Sequence, residues 1–262
     1  MRFMSLPICD AHLHLIPCLG NNDELPMYES EYKACTCAHD IDEFSLQEKK
    51  VIELNIDSNS KIYQSFGMHP QNPLIENHTF LESLLEEKRL SAIGEMGFDL
   101  YTEEFKSNIQ MQQKAWDIQL DLALKYDKPI IVHMRKAGEK VFLYSEKLKK
   151  LPYVVFHSFA GNIIEAQAIL HHDINAIFSF GKSLLNGNKK SLSCILGLDY
   201  NRMLLETDAP FQTLKGEHFT PSSDIKKIYD KVFELRELKS EEDKYSFCDT
   251  LSKNFVAVFD NQ

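Results

Sequence analysis

Hydrophobic positions along this chain fall into short runs, and each run gives way to a polar or helix-like stretch that leads to the next. Eight runs can be counted: LPICDAHLHL at 6–15, YKACTC at 32–37, KIYQSFGMHP at 61–70, LSAIGEMGFD at 90–99, KPIIVHMR at 128–135, YVVFHSF at 153–159, INAIFSF at 174–180 and RMLLETDAP at 202–210. Nearly unbroken apolar stretches such as IIV and YVVF suit strands buried on both faces, as in parallel sheets. Between the runs lie helical patterns, clearest at 104–126, where Phe105, Ile109, Gln112, Trp116, Leu120 and Ala123 recur at helical spacing. Alternating β and α elements imply parallel strands joined by right-handed crossovers. Eight such units in 262 residues favour a closed (β/α)8 TIM barrel over an open doubly wound sheet. The segment 222–260 carries no further strand signal and predicts two helices that meet around Leu238 to Glu242. No internal repeat, low-complexity tract or linker interrupts the pattern, so a single domain over 1–262 is expected.

Reactive side chains sit toward the ends of these runs: His12 and His14 in the first, His69 in the third, Glu95 in the fourth, His133 in the fifth, His157 in the sixth and Asp208 in the eighth. A (β/α)8 barrel gathers the C-terminal ends of its strands at one mouth, so residues spread over the sequence can meet there. The spacing His12-x-His14 places both imidazoles on one face of a strand. Two neutral imidazoles suit zinc and tolerate other first-row ions. A carboxylate such as Glu95 can bridge two ions, with His133 and His157 on the second, while Asp208 can bind an ion and accept a proton from activated water. Two divalent ions about 3.5–4 Å apart can generate hydroxide, polarise a phosphoryl or carbonyl oxygen and stabilise the leaving oxygen. The expected chemistry is hydrolysis, with Glu95 and Asp208 as catalytic carboxylates. A Ser/His/Asp triad is the poorer reading, because no G-x-S-x-G elbow is present.

Charge narrows the substrate. With a net charge of −10, the overall field repels polyanions, so a phosphate substrate must be attracted locally, for example by bound ions. No apolar stretch reaches membrane-spanning length, and the N-terminal apolar segment carries Asp10, His12 and His14, so no membrane contact is expected. The six cysteines read as free thiols, a cytoplasmic location is expected, and no obligate protein partner is evident. The cluster Cys35, Cys37 and His39 is taken as free thiols near the barrel rim rather than a metal or redox site, and His171 and His172 as a solvated helix end. The segment FSFGKSLL mimics half a Walker A loop, but Ala176 stands where its first glycine belongs. Nucleotide binding there is rejected, and Lys182 is kept as a local phosphate contact at the mouth.

In the order DAHLHL, GMHP, GEMGFD, PIIVHMRKA, FHSFAG and LLETDAP, the chain resembles the TatD-like metal-dependent deoxyribonucleases of the amidohydrolase superfamily from about residue 8 to 211. The resemblance implies two divalent metal ions, with Zn, Mn, Mg and Ni all left open. His12, His14, Glu95 and Asp208 would hold one ion, and Glu95, His133 and His157 the other. His69 would sit beside the site on a substrate phosphate, and Arg135 would orient the site or its substrate. Similar proteins cleave phosphodiester bonds in DNA, some as exonucleases, so DNA is the expected substrate, with single-stranded ends easiest to bring into a barrel mouth. Two departures stand out: the family's cysteine and serine in HCFSG are Ser158 and Ala160, and the loop LKGEHFTPSSD lacks the family's arginine and asparagine. The second keeps open an amidohydrolase or lactonase acting on a small carbonyl substrate. A scaffold that has lost turnover is disfavoured, since no ligand position is missing.

Overall fold

A computed structural model describes residues 5–26, 31–56 and 60–260. Each apolar run contains one strand: β1 Cys9–Leu13, β2 Lys33–Ala38, β3 Lys61–Phe66, β4 Ala92–Asp99, β5 Ile130–Arg135, β6 Val154–Phe156, β7 Ala176–Phe180 and β8 Met203–Leu205. They form an eight-stranded sheet in sequential order, and every adjacent pair is parallel. Helices occupy the crossovers, as the β/α alternation predicts. The sheet curls until β1 approaches β8. Just past β8 the seam is joined by Asp208 N–H to the His12 carbonyl at 2.9 Å and His14 N–H to the Ala209 carbonyl at 2.7 Å.

The barrel interior holds Cys9, Ala11, Cys35, Tyr63, Ala92, Ile131, Val155, Ile177 and Leu204, sealed by Phe255, Val258 and Phe259 of the helix Glu241–Phe259. Strand side chains alternate between faces, so residues two or four beyond an inward-facing position also face inward. His133 follows Ile131 in this way, His157 follows Val155, and Asp208 follows Leu204. On β1 and β4 the phase changes instead. Register shifts lie between Asp10 and Leu13 and between Ile93 and Met96, so an odd step separates Ala11 from His12 and His14, and Ala92 from Glu95.

The helix expected over 104–126 is two helices, Glu103–Ser107 and Ile109–Tyr126. Gln112, expected on the apolar face, explains the break. Its side chain donates to the Phe105 carbonyl at 2.8 Å and the Asp99 carbonyl at 3.0 Å, taking an acceptor that a continuous helix would use. The C-terminal pair is as expected, Ile225–Leu235 and Glu241–Phe259, with the Ser240 hydroxyl accepting from Asp243 N–H at 3.0 Å as the second helix's cap.

Gly97 lies opposite His133 in the β4/β5 register, at φ 147°, and a Cβ there would stand 1.9 Å from the His133 carbonyl oxygen. Only a residue without a side chain lets these strands approach so closely. Gly97→Ala is expected to cost about 3 kcal/mol or more and to lower Tm by roughly 6–12 °C in a thermal melt. Gly138→Ala, where nothing lies within 4 Å of the new Cβ, serves as the near-neutral control. Equal melting of the two variants would refute the close approach.

Candidate metal centre

Glu95, 2% exposed on β4, is the centre of the mouth. Its two oxygens face different sets of imidazoles. Oε1 lies 3.2 Å from His12 Nε2, 3.4 Å from His14 Nε2 and 3.2 Å from His39 Nε2. Oε2 lies 2.7 Å from His157 Nε2, 3.2 Å from His133 Nδ1 and 3.6 Å from His69 Nε2. Asp208 joins the first set, its Oδ1 standing 3.4 Å from His14 Nε2 and 3.7 Å from His12 Nε2. Within the sets, His12 and His14 Nε2 are 3.3 Å apart, as are His157 Nε2 and His133 Nδ1.

These spacings fit divalent ions. Donors around a tetrahedral ion at about 2.0–2.1 Å are themselves about 3.3–3.4 Å apart, and imidazole nitrogens with carboxylate oxygens are the donor types such ions take. Ring tautomers sharpen the assignment, because each outer nitrogen reveals what the inner one carries. His133 Nε2 lies 3.1 Å from Asp99 Oδ2, which can only accept, so its proton sits there and Nδ1 turns a lone pair toward Glu95. His69 is the opposite case. Its Nδ1 accepts from Gln71 N–H at 3.2 Å, so Nε2 carries the proton and His69 faces the site as a donor.

Buried carboxylates behind the ligands complete the frame. Asp99, fully buried, also accepts from the Gln71 side chain at 2.8 Å and Tyr101 N–H at 2.9 Å. Burial would raise its pKa, but His133 and Gln71 hold it well below the usual range. Glu206 accepts from Ser158 N–H at 2.7 Å and its hydroxyl at 2.5 Å, and lies 3.5 Å from His157 Nδ1. Asp10 ties β1 to the segment after β8, accepting from Thr207 N–H at 2.9 Å and its hydroxyl at 2.7 Å.

Electrostatics follow from crowding. Burial opposes charge on Glu95, yet His157, His12 and His69 hold its carboxyl well below the usual range. Asp208 is likewise lowered against its burial, by His14, His157 and His12. Burial pushes His12 down and His69 down to about 3, keeping both neutral. His157 goes the other way, since Glu95 and Glu206 outweigh its burial and raise it well above the ordinary imidazole value.

All six expected ligands, His12, His14, Glu95, His133, His157 and Asp208, therefore come together, with His69 beside them. Glu95 sits inside β4 rather than at its end. Arg135 stands at the rim, half-exposed, 3.7 Å from Asp99, with its guanidinium 4.2 Å from the Tyr101 ring centroid. Lys182 does not reach the mouth. It is 1% exposed, and its ammonium is held by Glu217 at 2.5 Å and Asp224 at 2.6 Å, so it braces the loop instead of meeting a phosphate. His39 was missed as a site residue, although its position four beyond the inward-facing Cys35 places it in the inward phase. A cavity of about 620 Å³ opens over the cluster, lined also by Arg135, Phe211 and Gln212.

The model for TatD related DNase matches residues 9–260. The chain belongs to the TatD related DNase family. It is a metal-dependent hydrolase. Among its relatives, the uncharacterized metal-dependent hydrolase YabD of Bacillus subtilis is 30% identical over 189 residues, covering 69% of this chain and 72% of YabD. A protein named 3'-5' ssDNA/RNA exonuclease TatD from Pantoea ananatis is 33% identical over 187 residues, 68% of each chain. The crystal structure of the TatD homologue YjjV from Escherichia coli superposes with a TM-score of 0.80 at 23% identity, covering 99% of this chain and all of that one. It shares the TatD barrel fold.

Because His157 keeps a proton above the ordinary imidazole range, an incoming ion must displace it, so metal uptake should release protons and apparent affinity should rise with pH. Affinity that stays constant from pH 6 to pH 8, with no proton release to an indicator dye, would contradict this. Asp99→Asn should invert the preferred tautomer of His133 and weaken one bound equivalent about 10- to 100-fold in a competition titration. Wild-type affinity in that variant would dismiss the tautomer argument.

Proposed function

We propose that this TatD-family protein hydrolyses phosphodiester bonds at the ends of single-stranded DNA, with two divalent ions in the mouth. His12, His14, Glu95 and Asp208 would hold one ion, and Glu95, His133 and His157 the other. The observation that carries the reading is the division of the Glu95 oxygens, each confronting its own set of imidazoles at 2.7–3.6 Å. Ions bound there would lower the pKa of water, polarise phosphoryl oxygens and stabilise the departing oxygen.

The protein's own groups supply the rest. Asp208 stays ionised, and its Oδ2 accepts from Gln212 Nε2 at 2.7 Å, which holds the carboxylate in place as a base for the attacking water. His69 Nε2–H is positioned to donate to a phosphate oxygen. Arg135, at the rim of an otherwise acidic molecule, offers a fork-shaped cation for a neighbouring phosphate. Phe211, 51% exposed with its ring 4.9 Å from that of His14, presents a face on which a base can stack. The mouth suits a strand end, because a duplex would first have to be unpaired. The name of the Pantoea ananatis relative points to the same substrate class and extends it to RNA.

One observation favours a second reading. Among the described residues lining the cavity, Arg135 is the only lysine or arginine, which suits an amidohydrolase or lactonase of a small carbonyl substrate as well. End-labelled single-stranded DNA and RNA, incubated with metal-loaded protein, separate the two. Wild type should shorten the labelled strand, with Glu95→Ala and His133→Ala slower by at least about 100-fold. Strands left equally intact by all three proteins would reject the nuclease.

A further inference from the structure

His39 is a third imidazole on the Oε1 side of Glu95, beyond the residues that the family resemblance assigns. Its backbone is fixed where β2 gives way to the helix Ile41–Asn55: His39 N–H donates to Glu43 Oε2 at 2.9 Å, while the Asp40 side chain accepts from Glu43 N–H at 2.8 Å. Its ring is fixed as well. Nδ1 lies 3.1 Å from the Gly67 carbonyl oxygen, which has no proton to give, so Nδ1 must donate. The opposite nitrogen, Nε2, lies 3.2 Å from Glu95 Oε1.

In the neutral ring Nε2 then carries only a lone pair, and a carboxylate oxygen offers nothing but lone pairs. Two such atoms at that distance repel unless a cation lies between them. Oε1 also has His12 Nε2 and His14 Nε2 at 3.2 and 3.4 Å, so three ring nitrogens converge on this one carboxylate oxygen. A single divalent ion satisfies all of these contacts together, without burying several protons against one carboxylate. Cys37 is no rival for the position, since its thiol donates to the Gly94 carbonyl at 2.7 Å. His69, on the other oxygen's side, is excluded as a ligand through Nε2 by its opposite tautomer.

We infer that His39 Nε2 is an additional ligand of the ion on the Oε1 side, joining His12, His14, Glu95 and Asp208. The inference rests on the two-ion reading above. It makes the two positions unequal: the Oε1 ion receives five protein side chains and the Oε2 ion three. Zinc and its neighbours accept five donors as well as four. The ion on the Oε2 side is then the one with more room for water and substrate.

Metal removal followed by titration with Co(II) against a competing chelator tests this without any turnover. Wild-type protein should bind two equivalents. His39→Ala, and His39→Asn, whose amide can keep the contact to Gly67, should each weaken one equivalent by about 10-fold or more, leave the other unchanged and alter the visible ligand-field spectrum. His69→Ala should leave both affinities as in wild type. Wild-type affinities and an unaltered spectrum in both His39 variants would overturn the ligand role, even if they cleaved substrate poorly, since His39 would then act on substrate alone. Failure of the wild type to bind any ion would instead sink the two-ion reading itself.

Discussion

A carboxylate buried to 2% exposure in the middle of a strand is costly unless opposite charge or hydrogen-bond donors surround it, and the mouth of this barrel is organised around that requirement at Glu95. Six imidazoles approach its oxygens within 3.6 Å, drawn from strands or strand ends all round the barrel. Neutral imidazoles alone compensate a negative charge weakly, and each must turn either a proton or a lone pair inward. Asp99, behind His133, reinforces the lone-pair orientation of that ring, since its acceptor oxygen draws the ring proton outward, whereas His157 lies between Glu95 Oε2 at 2.7 Å and Glu206 at 3.5 Å. The consequence is a buried cluster whose imidazoles and carboxylates are able to hold metal.

The same residues close the barrel. β1 and β8 are joined past the strand ends by backbone bonds from Asp208 and His14, and by Asp10 clasping Thr207. Loss of the seam would therefore displace His12, His14 and Asp208 together, whereas Glu95 and His133 depend on the separate close approach of β4 and β5 at Gly97. Fold and site are thus linked through two stretches of backbone. The phase shifts on β1 and β4 belong to this arrangement: they let strands that fill the core with Ala11 and Ala92 turn His12, His14 and Glu95 to the same interior.

Much of this was legible in the sequence because it depends on local pattern. Buried parallel strands need continuous apolar runs, and the eight runs each hold a strand. The ligands were legible because chemistry confines histidines and acids to the ends of such runs. What escaped depends on partners far away along the chain. Gln112 has the spacing of a helix-face residue, but its amide takes the Phe105 carbonyl. Lys182 looked like a phosphate contact because nothing nearby reveals Glu217 and Asp224, which hold it. His39 was masked by its cysteine neighbours, although strand parity from Cys35 pointed it inward. Asp10, Asp99 and Glu206 lie inside recognisable motifs, but a supporting carboxylate is defined by the imidazole or hydroxyl it faces across the barrel.

Lys182 also changes the meaning of the loop LKGEHFTPSSD. Glu217 and Asp224 are spent on a buried ammonium, and Leu214 N–H donates to Glu217 at 2.7 Å, so this loop is braced from within. The residues before it, Phe211 and Gln212, are the ones that reach the cavity, the first as an exposed ring and the second as the partner of Asp208 and Ser158. Arg135 alone supplies fixed positive charge among the described residues lining the cavity over the cluster, and Lys136 and Lys190 line the pocket that adjoins it. On the proposed function, recognition of a polyanion would draw on bound metal, on the donor at His69, on these few cations and on stacking on aromatic faces. Those interactions are short-ranged, and on the proposed function they would favour a chain end inserted into the mouth over a strand laid across the surface.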